Sequence, residues 1–168
     1  ISIRDELQHA QSYMNIQKYR YRERFSVQYD IQEEIYSYCT VKLILQPILE
    51  NAIYYGVGDM DEDDDPLIVV RGYKKEDDIY LCVEDNGMGM REEDVRNILT
   101  DNQKVPKHGS GVGLINVHTR IQLMFGEQYG LHVESEADEG TSVTIHLPAI
   151  PFTKENCEML EKAKIGKE

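Results

Sequence analysis

Basic residues are scarce in this chain: 18 Lys and Arg stand against 31 Asp and Glu, a formal net charge of -13. A nucleic-acid surface draws on clustered cations, which are missing here, so no nucleic-acid partner is expected. Any polyanion must be held by local backbone donors, a metal ion and a few nearby cations. Cysteine is sparse too. Cys39, Cys82 and Cys157 are odd in number, far apart and without C-x-x-C spacing, so zinc and dithiol redox motifs are excluded and reduced cytosolic thiols are expected. No apolar run approaches the ~18 residues of a membrane span, and there is no signal peptide. The chain starts at Ile1 rather than Met and reads as a fragment, with any membrane segment in a missing part.

What is present suffices for a core. Of the 168 residues 40% are apolar and 29% charged, which is the composition of one globular domain that needs neither disulfide nor metal to fold. Ser2 with Asp5 resembles a capping box, and Ile3, Leu7, Ala10, Met14 and Tyr21 follow at near-helical spacing, which predicts a first helix running to about Arg24. Phe25, Val27, Tyr29 and Ile31 alternate with polar residues as a strand with one buried face. Leu43, Ile44, Ile48, Leu49, Ala52 and Ile53 repeat at threes and fours. Pro47 is tolerated only in a first turn, so this helix should start near Leu43 or Ile44, and Gly56 and Gly58 should end it. Residues 59–65 read as a solvated acidic loop, because they lack the glycine and terminal glutamate of an EF-hand.

Residues 67–73 and 79–84 predict a hairpin, and 91–99 a short helix. Residues 100–108 are polar and aperiodic and suggest a mobile lid. Leu114, Val117, Ile121, Leu123 and Met124 predict a helix stopped by Gly126. Leu131 and Val133, then Thr141, Val143, Ile145 and Leu147, predict a second hairpin turned by Asp138-Glu139-Gly140. After Pro151 the tail has only Met159, Leu160 and Ala163 as a stripe and should be loosely held. The order of elements predicts a two-layer α/β sandwich, a mixed and mostly antiparallel sheet with helices on one face.

Two glycine clusters carry the chemistry. Asp85-Asn86-Gly87-Met88-Gly89 follows a strand, and its glycines let backbone pass close to a flat ligand. Gly109-Ser110-Gly111-Val112-Gly113 opens a helix, where successive N–H groups converge on phosphates. No G-x-x-x-x-G-K-S/T occurs, which excludes a P-loop. No G-x-G-x-x-G follows an N-terminal strand, and the hairpins oppose a dinucleotide fold.

With Leu45-Gln46-Pro47-Ile48-Leu49-Glu50-Asn51-Ala52 before them, Glu84-Asp85-Asn86-Gly87-Met88-Gly89, Gly109-Ser110-Gly111-Val112-Gly113-Leu114 and Gly140-Thr141 resemble the N, G1 and G2 boxes and closing strand of a Bergerat-fold ATP-binding domain. The best match is to bacterial two-component sensor histidine kinases of the LytS/YesM-like subgroup. Tyr19-Arg20-Tyr21, Asn116-Val117 with Arg120, and Phe125-Gly126 extend the resemblance, which covers about residues 3–148. It implies an ATP-binding catalytic domain at 25–150, a helix at 1–24 leading in from a missing dimerisation and phosphoacceptor region, and a tail at 151–168.

By position, the resemblance makes Asn51 the residue that coordinates the Mg2+ bridging the ATP phosphates. Asp85 accepts from the adenine amino group, with Thr141 supporting it directly or through water. Gly87 and Gly89 approach the base, and Gly109, Gly111, Val112, Gly113 and Leu114 form the phosphate cradle. Tyr55 either lines the site or packs in the core. Hydrolytic members of the fold carry a general-base Glu one helical turn before the metal Asn, and here that position is Pro47. Glu50 is the remaining catalytic candidate. As the neighbour of Asn51 it points about 100° away on an ideal helix, which is poor for activating water.

None of His9, His108, His118, His132 and His146 stands in the phosphoacceptor motif, so the acceptor is expected outside this chain. The implied partners are that upstream helix, within a homodimer, and a cognate response regulator. The implied setting is the cytoplasmic side of a membrane-anchored receptor. The alternatives are a degenerate nucleotide-binding regulatory module, a self-contained ATPase of the same fold, or a structural domain in which the glycines are coincidental.

Overall fold

β2 (Leu67–Lys75) and β3 (Asp78–Asp85) form an antiparallel hairpin in which every second residue faces the core. Ile68 and Val70 of β2 and Ile79, Leu81 and Val83 of β3 are buried, as a period of two requires. β5 (Gly140–Pro148) lies antiparallel to β3, and β4 (Gly130–Glu136) lies antiparallel to β5. β1 (Ser26–Ile31) pairs parallel with the free edge of β2, giving the order β1-β2-β3-β5-β4. This is the expected mixed, mostly antiparallel sheet. The computed structural model describes residues 1–58, 60–100 and 110–167, with only the backbone of 110–112 and 163–167.

Helices cover one face. α1 (Ile3–Arg20), α2 (Leu45–Asn51) and α4 (Ser110–Phe125) bury Ile3, Leu7 and Met14, Ile48 and Leu49, and Leu114, Val117 and Ile121 in one core with the inward strand residues. α1 therefore belongs to the same packed unit as the sheet. Across the strands, Val70, Val83, Val143 and Val133 make a buried row, and the next row, Arg71, Cys82, Thr144 and His132, faces the other way. That second face carries an Arg71–Glu84 ion pair and a stack of Tyr73, Tyr80 and His146 at centroid distances of 5.2 and 4.8 Å.

Local chemistry sets the element ends. Ser2 Oγ accepts from Asp5 N–H at 3.1 Å and caps α1 as expected. Ser2→Ala should cost ~1 kcal/mol, read as a lower denaturant midpoint at unchanged slope. An unchanged midpoint would show that the cap contributes nothing. α1 stops at Arg20 rather than Arg24, because Arg22 and Glu23 take left-handed φ values of 53° and 57°. Leu43 is also left-handed, at φ 59°, so α2 starts at Leu45 with Pro47 in its first turn, where the missing N–H costs no hydrogen bond.

Two further expectations are corrected. Gly56 does not end the second helix, because α2 runs on into a π-helical turn, Ala52–Val57, and Gly58 is the cap. Leu123 is 59% exposed and contributes nothing to the core. Glu33–Ser37 is a 3₁₀ turn that buries Ile35. The tail carries a helix, α5 (Lys154–Lys167), whose start is capped by Thr153 Oγ1 accepting from Asn156 N–H at 3.1 Å and none of whose described side chains is fully buried. A further short helix, α3 (Glu92–Asn97), falls within the expected 91–99.

Candidate functional site

β3 delivers Asp85 to the end of the helix-covered face, in a cross-strand row with Ile68, Thr141 and Ser135. Asp85 Oδ1 accepts from Gly87 N–H at 2.9 Å, and the backbone N–H of Thr141 is a second donor. Burial pushes the Asp85 carboxyl up to about 6, against the lowering effect of those two N–H bonds. The side chain still keeps a partly exposed edge. Asp85 is therefore a fixed acceptor that dehydration has made reactive toward protons.

Glycine is obligatory around it. A Cβ on Gly56 would lie 2.6 Å from Asp85 Oδ1, and one on Gly87 would fall on the backbone of Gly56. The π turn after α2 and the turn after β3 thus touch backbone to backbone, with the carboxylate beside the contact. Gly89 is left-handed, at φ 69°, and a Cβ there would fall on the carbonyl oxygen of Glu136.

Thr141 is 8% exposed, and its hydroxyl lies 2.8 Å from Ser135 Oγ. Ser135 Oγ donates to Gly140 O at 2.8 Å and accepts from Met90 N–H at 2.8 Å. A serine hydroxyl has one proton, so the Thr141 proton must go to Ser135, and Thr141 can offer a ligand or water only an acceptor. Neither Ser135 nor Gly56 was read from sequence as a site residue. The visible signal for Ser135 was its place opposite Thr141 in the second hairpin, while nothing in the sequence foretold a π turn at Gly56.

Asn51 ends α2 and is 5% exposed. Its neighbour Glu50 is exposed and accepts from Gln46 Nε2 at 3.1 Å, so the two side chains occupy opposite environments, as the 100° offset implies. Tyr55 lies in the π turn, half-buried, its ring 4.9 Å from that of Tyr54 and its buried hydroxyl without a hydrogen-bond partner among the described residues. Gly111, Val112 and Gly113 form the first turn of α4, and Leu114 is fully buried. A Cβ on Gly113 would sit 3.5 Å from Pro47 Cβ. The segment from Pro47 to Gly56 therefore spans the two glycine clusters, touching Gly113 at one end and Asp85 with Gly87 at the other. Gly109 and residues 101–108 of the expected lid lie outside the described residues.

A hollow of about 340 Å³ at this end of the sheet is lined by Asp85 and Thr141 together with Glu84, Ser142 and Glu134, a cross-strand row that faces away from the helices. On the helix-covered side, the Pro47 end of the connecting segment meets Gly113 at the start of α4. There the first N–H groups of a 16-residue helix lack intrahelical acceptors. Among the described residues no cluster of three or more His, Cys, Asp or Glu could hold a metal by itself.

Residues 40–151 match the family described as "Histidine kinase-, DNA gyrase B-, and HSP90-like ATPase", and the chain belongs to it. It is 36% identical over 148 residues to the sensor histidine kinase YesM of Bacillus subtilis, covering 88% of this chain and 24% of that protein. It is 30% identical over 150 residues to the sensor protein LytS of Bacillus anthracis, covering 88% of this chain and 25% of that one. The chain thus spans about a quarter of the length of these curated relatives. Among solved structures, the catalytic domain of histidine kinase ThkA superposes with a TM-score of 0.66 at 14% identity, covering 90% of this chain and 95% of that one. The mycobacterial sensor histidine kinase MprB gives 0.63 at 16%, covering 90% and 97%. These two likenesses establish the fold.

Proposed function

We propose that this chain is the ATP-binding catalytic domain of a LytS/YesM-like sensor histidine kinase, which passes the γ-phosphoryl group of Mg-ATP to a histidine outside residues 1–168. The observation that carries the reading is the Asp85 carboxylate, fixed by two backbone N–H groups against the Gly56–Gly87 contact, a geometry suited to a flat base with an exocyclic amino group. The phosphates would then pass Asn51 toward Gly109, Gly111 and Gly113. Asn51 offers one hard amide oxygen, which fits Mg2+ because that ion takes most of its ligands from phosphate and water. When bound, Mg2+ neutralises charge developing on the transferred group.

Two histidines among the described residues are poorly placed as acceptors. His118 Nδ1 accepts from Leu131 N–H at 2.9 Å, and burial holds its pKa below the ordinary value. His146 is stacked on Tyr80, with Tyr129 tilted against it. With Pro47 where a water-activating Glu would stand, the site lacks a nucleophile of its own, which favours transfer to a separate dimerisation helix and thence to a response regulator. No helix among the described residues is long and apolar enough to cross a membrane. A cytoplasmic domain tethered through another segment is the arrangement proposed.

Calorimetry tests the binding step. The chain should bind ATP more tightly with Mg2+ than without, and Asn51→Ala should remove that difference. Equal affinities of parent and variant in Mg2+ would take Asn51 out of the site. With radiolabelled ATP, the chain alone should stay unlabelled and hydrolyse slowly, and an acid-labile P–N bond should form only on an added acceptor helix. Rapid turnover that Asn51→Ala abolishes would point instead to a self-contained ATPase.

A further inference from the structure

We infer that the short loop at residues 42–44 is a joint through which α1 sets the relation between α2 and α4, with Glu6 and Arg120 as its positioning residues. The inference rests on the function proposed above and names what holds the phosphate end of that site. Glu6, on α1, is 2% exposed. Its Oε1 accepts from Leu43 N–H at 3.0 Å, and its Oε2 accepts from Ile44 and Leu45 N–H at 2.8 and 3.0 Å. A buried carboxylate is costly unless paired, and here the positive end of α2 supplies the compensation.

The carbonyls of the same loop face the other way. Arg120, on α4, donates from Nη2 to Lys42 O at 2.8 Å and from Nη1 to Leu43 O at 3.5 Å. Leu43 between them is left-handed, at φ 59°, a conformation a leucine keeps only when its surroundings impose it. One loop is therefore gripped by an anion from α1 on its N–H side and by a cation from α4 on its C=O side.

The two ends of the Pro47-to-Gly56 segment are held by different means. The Gly56 end is seated on Asp85 and Gly87 at the sheet. The Pro47 end lies just past the joint and against Gly113 of α4. Loosening the joint should disturb the spacing of Asn51 and the α4 N-terminus while leaving the Asp85 end in place.

Glu6→Gln and Arg120→Gln test this, singly and together, with adenosine and Mg-ATP as probes in calorimetry and a thermal melt to verify folding. Glu6→Gln sets an amide NH2 against a backbone N–H, and Arg120→Gln removes the charge from the two carbonyls. Adenosine affinity should stay within about twofold of the parent, while Mg-ATP affinity should fall about tenfold, the scale of one lost charge-assisted hydrogen bond. The double variant should lose less than the product of the single losses, because both residues act on one loop. An equal loss for both probes, or no loss of Mg-ATP affinity in either variant, would overturn the joint. If Glu6→Gln fails to fold, Arg120→Gln decides alone, since its bonds lie at the surface. A parent chain that binds neither probe would instead overturn the nucleotide reading, and the joint with it.

Discussion

Asp85→Asn should give a chain that melts higher than its parent at pH 7 and no longer prefers ATP to GTP. Burial raises the Asp85 pKa to about 6, so the folded chain is stabilised when this group is protonated. Below the ordinary carboxylate range both folded and unfolded chains are protonated and there is no penalty. As pH rises toward about 6 the unfolded chain ionises first and stability falls, and above that the penalty is constant. The neutral amide escapes it, so the gain from Asp85→Asn should be present at pH 7 and fade as pH drops toward 4. Thermal melts across that window measure it, and a gain that grows on acidification would refute the account.

The same substitution turns the ligand preference. With Oδ1 already accepting from Gly87 N–H, an asparagine presents its NH2 to the ligand, a donor facing the donor of adenine and complementary to the carbonyl of guanine. ATP affinity should fall by ~1–3 kcal/mol, about tenfold to a hundredfold, and GTP should gain. For the parent, ATP affinity should weaken as pH falls below about 6, because the accepting form is then lost. Unchanged discrimination in the variant would remove Asp85 from the base pocket.

Gly87→Ala is the second large effect. Its Cβ would overlap the Gly56 backbone, which no rotamer change can relieve. Overpacking of this kind costs ~1–3 kcal/mol, and here it also pushes the π turn away from Asp85. Both stability and ATP binding should drop. Gly113→Ala is the control for stability: its Cβ would meet Pro47 at an ordinary 3.5 Å inside a helix, where alanine is the better residue. A denaturant series in which Gly87→Ala is no worse than Gly113→Ala would show that the Gly56–Gly87 contact is not tight.

Hairpins, glycine clusters and the buried stripe of α2 were legible from sequence because each is a local pattern. Alternation in 67–73 and 79–84 fixes a face, and Gly87 and Gly89 announce a turn by composition alone. What stayed hidden depends on contacts between distant segments. Glu6 reads as one polar residue on an amphipathic helix until Leu43, Ile44 and Leu45 arrive above it. Gly56 reads as a helix stop, whereas its lack of a side chain answers to Asp85. Leu123 keeps helical spacing yet faces outward, since periodicity names a stripe but not where the partner surface ends. Met159, Leu160 and Ala163 show the tail's helical spacing, but the cap that Thr153 supplies was not read.

The parallel seam between β1 and β2 has a kinetic consequence. β2 with β3, and β4 with β5, close over short turns, but Ser26 cannot meet Leu67 until the intervening 3₁₀ turn, α2 and the π turn have been gathered in. The entropy of that closure must be met before the seam returns any hydrogen bond, so β1 should dock late, onto a sheet already paired. Thinning β1 with Val27→Ala should then speed unfolding and leave the refolding rate nearly unchanged, giving a φ-value near zero at the edge where the chain enters the sheet.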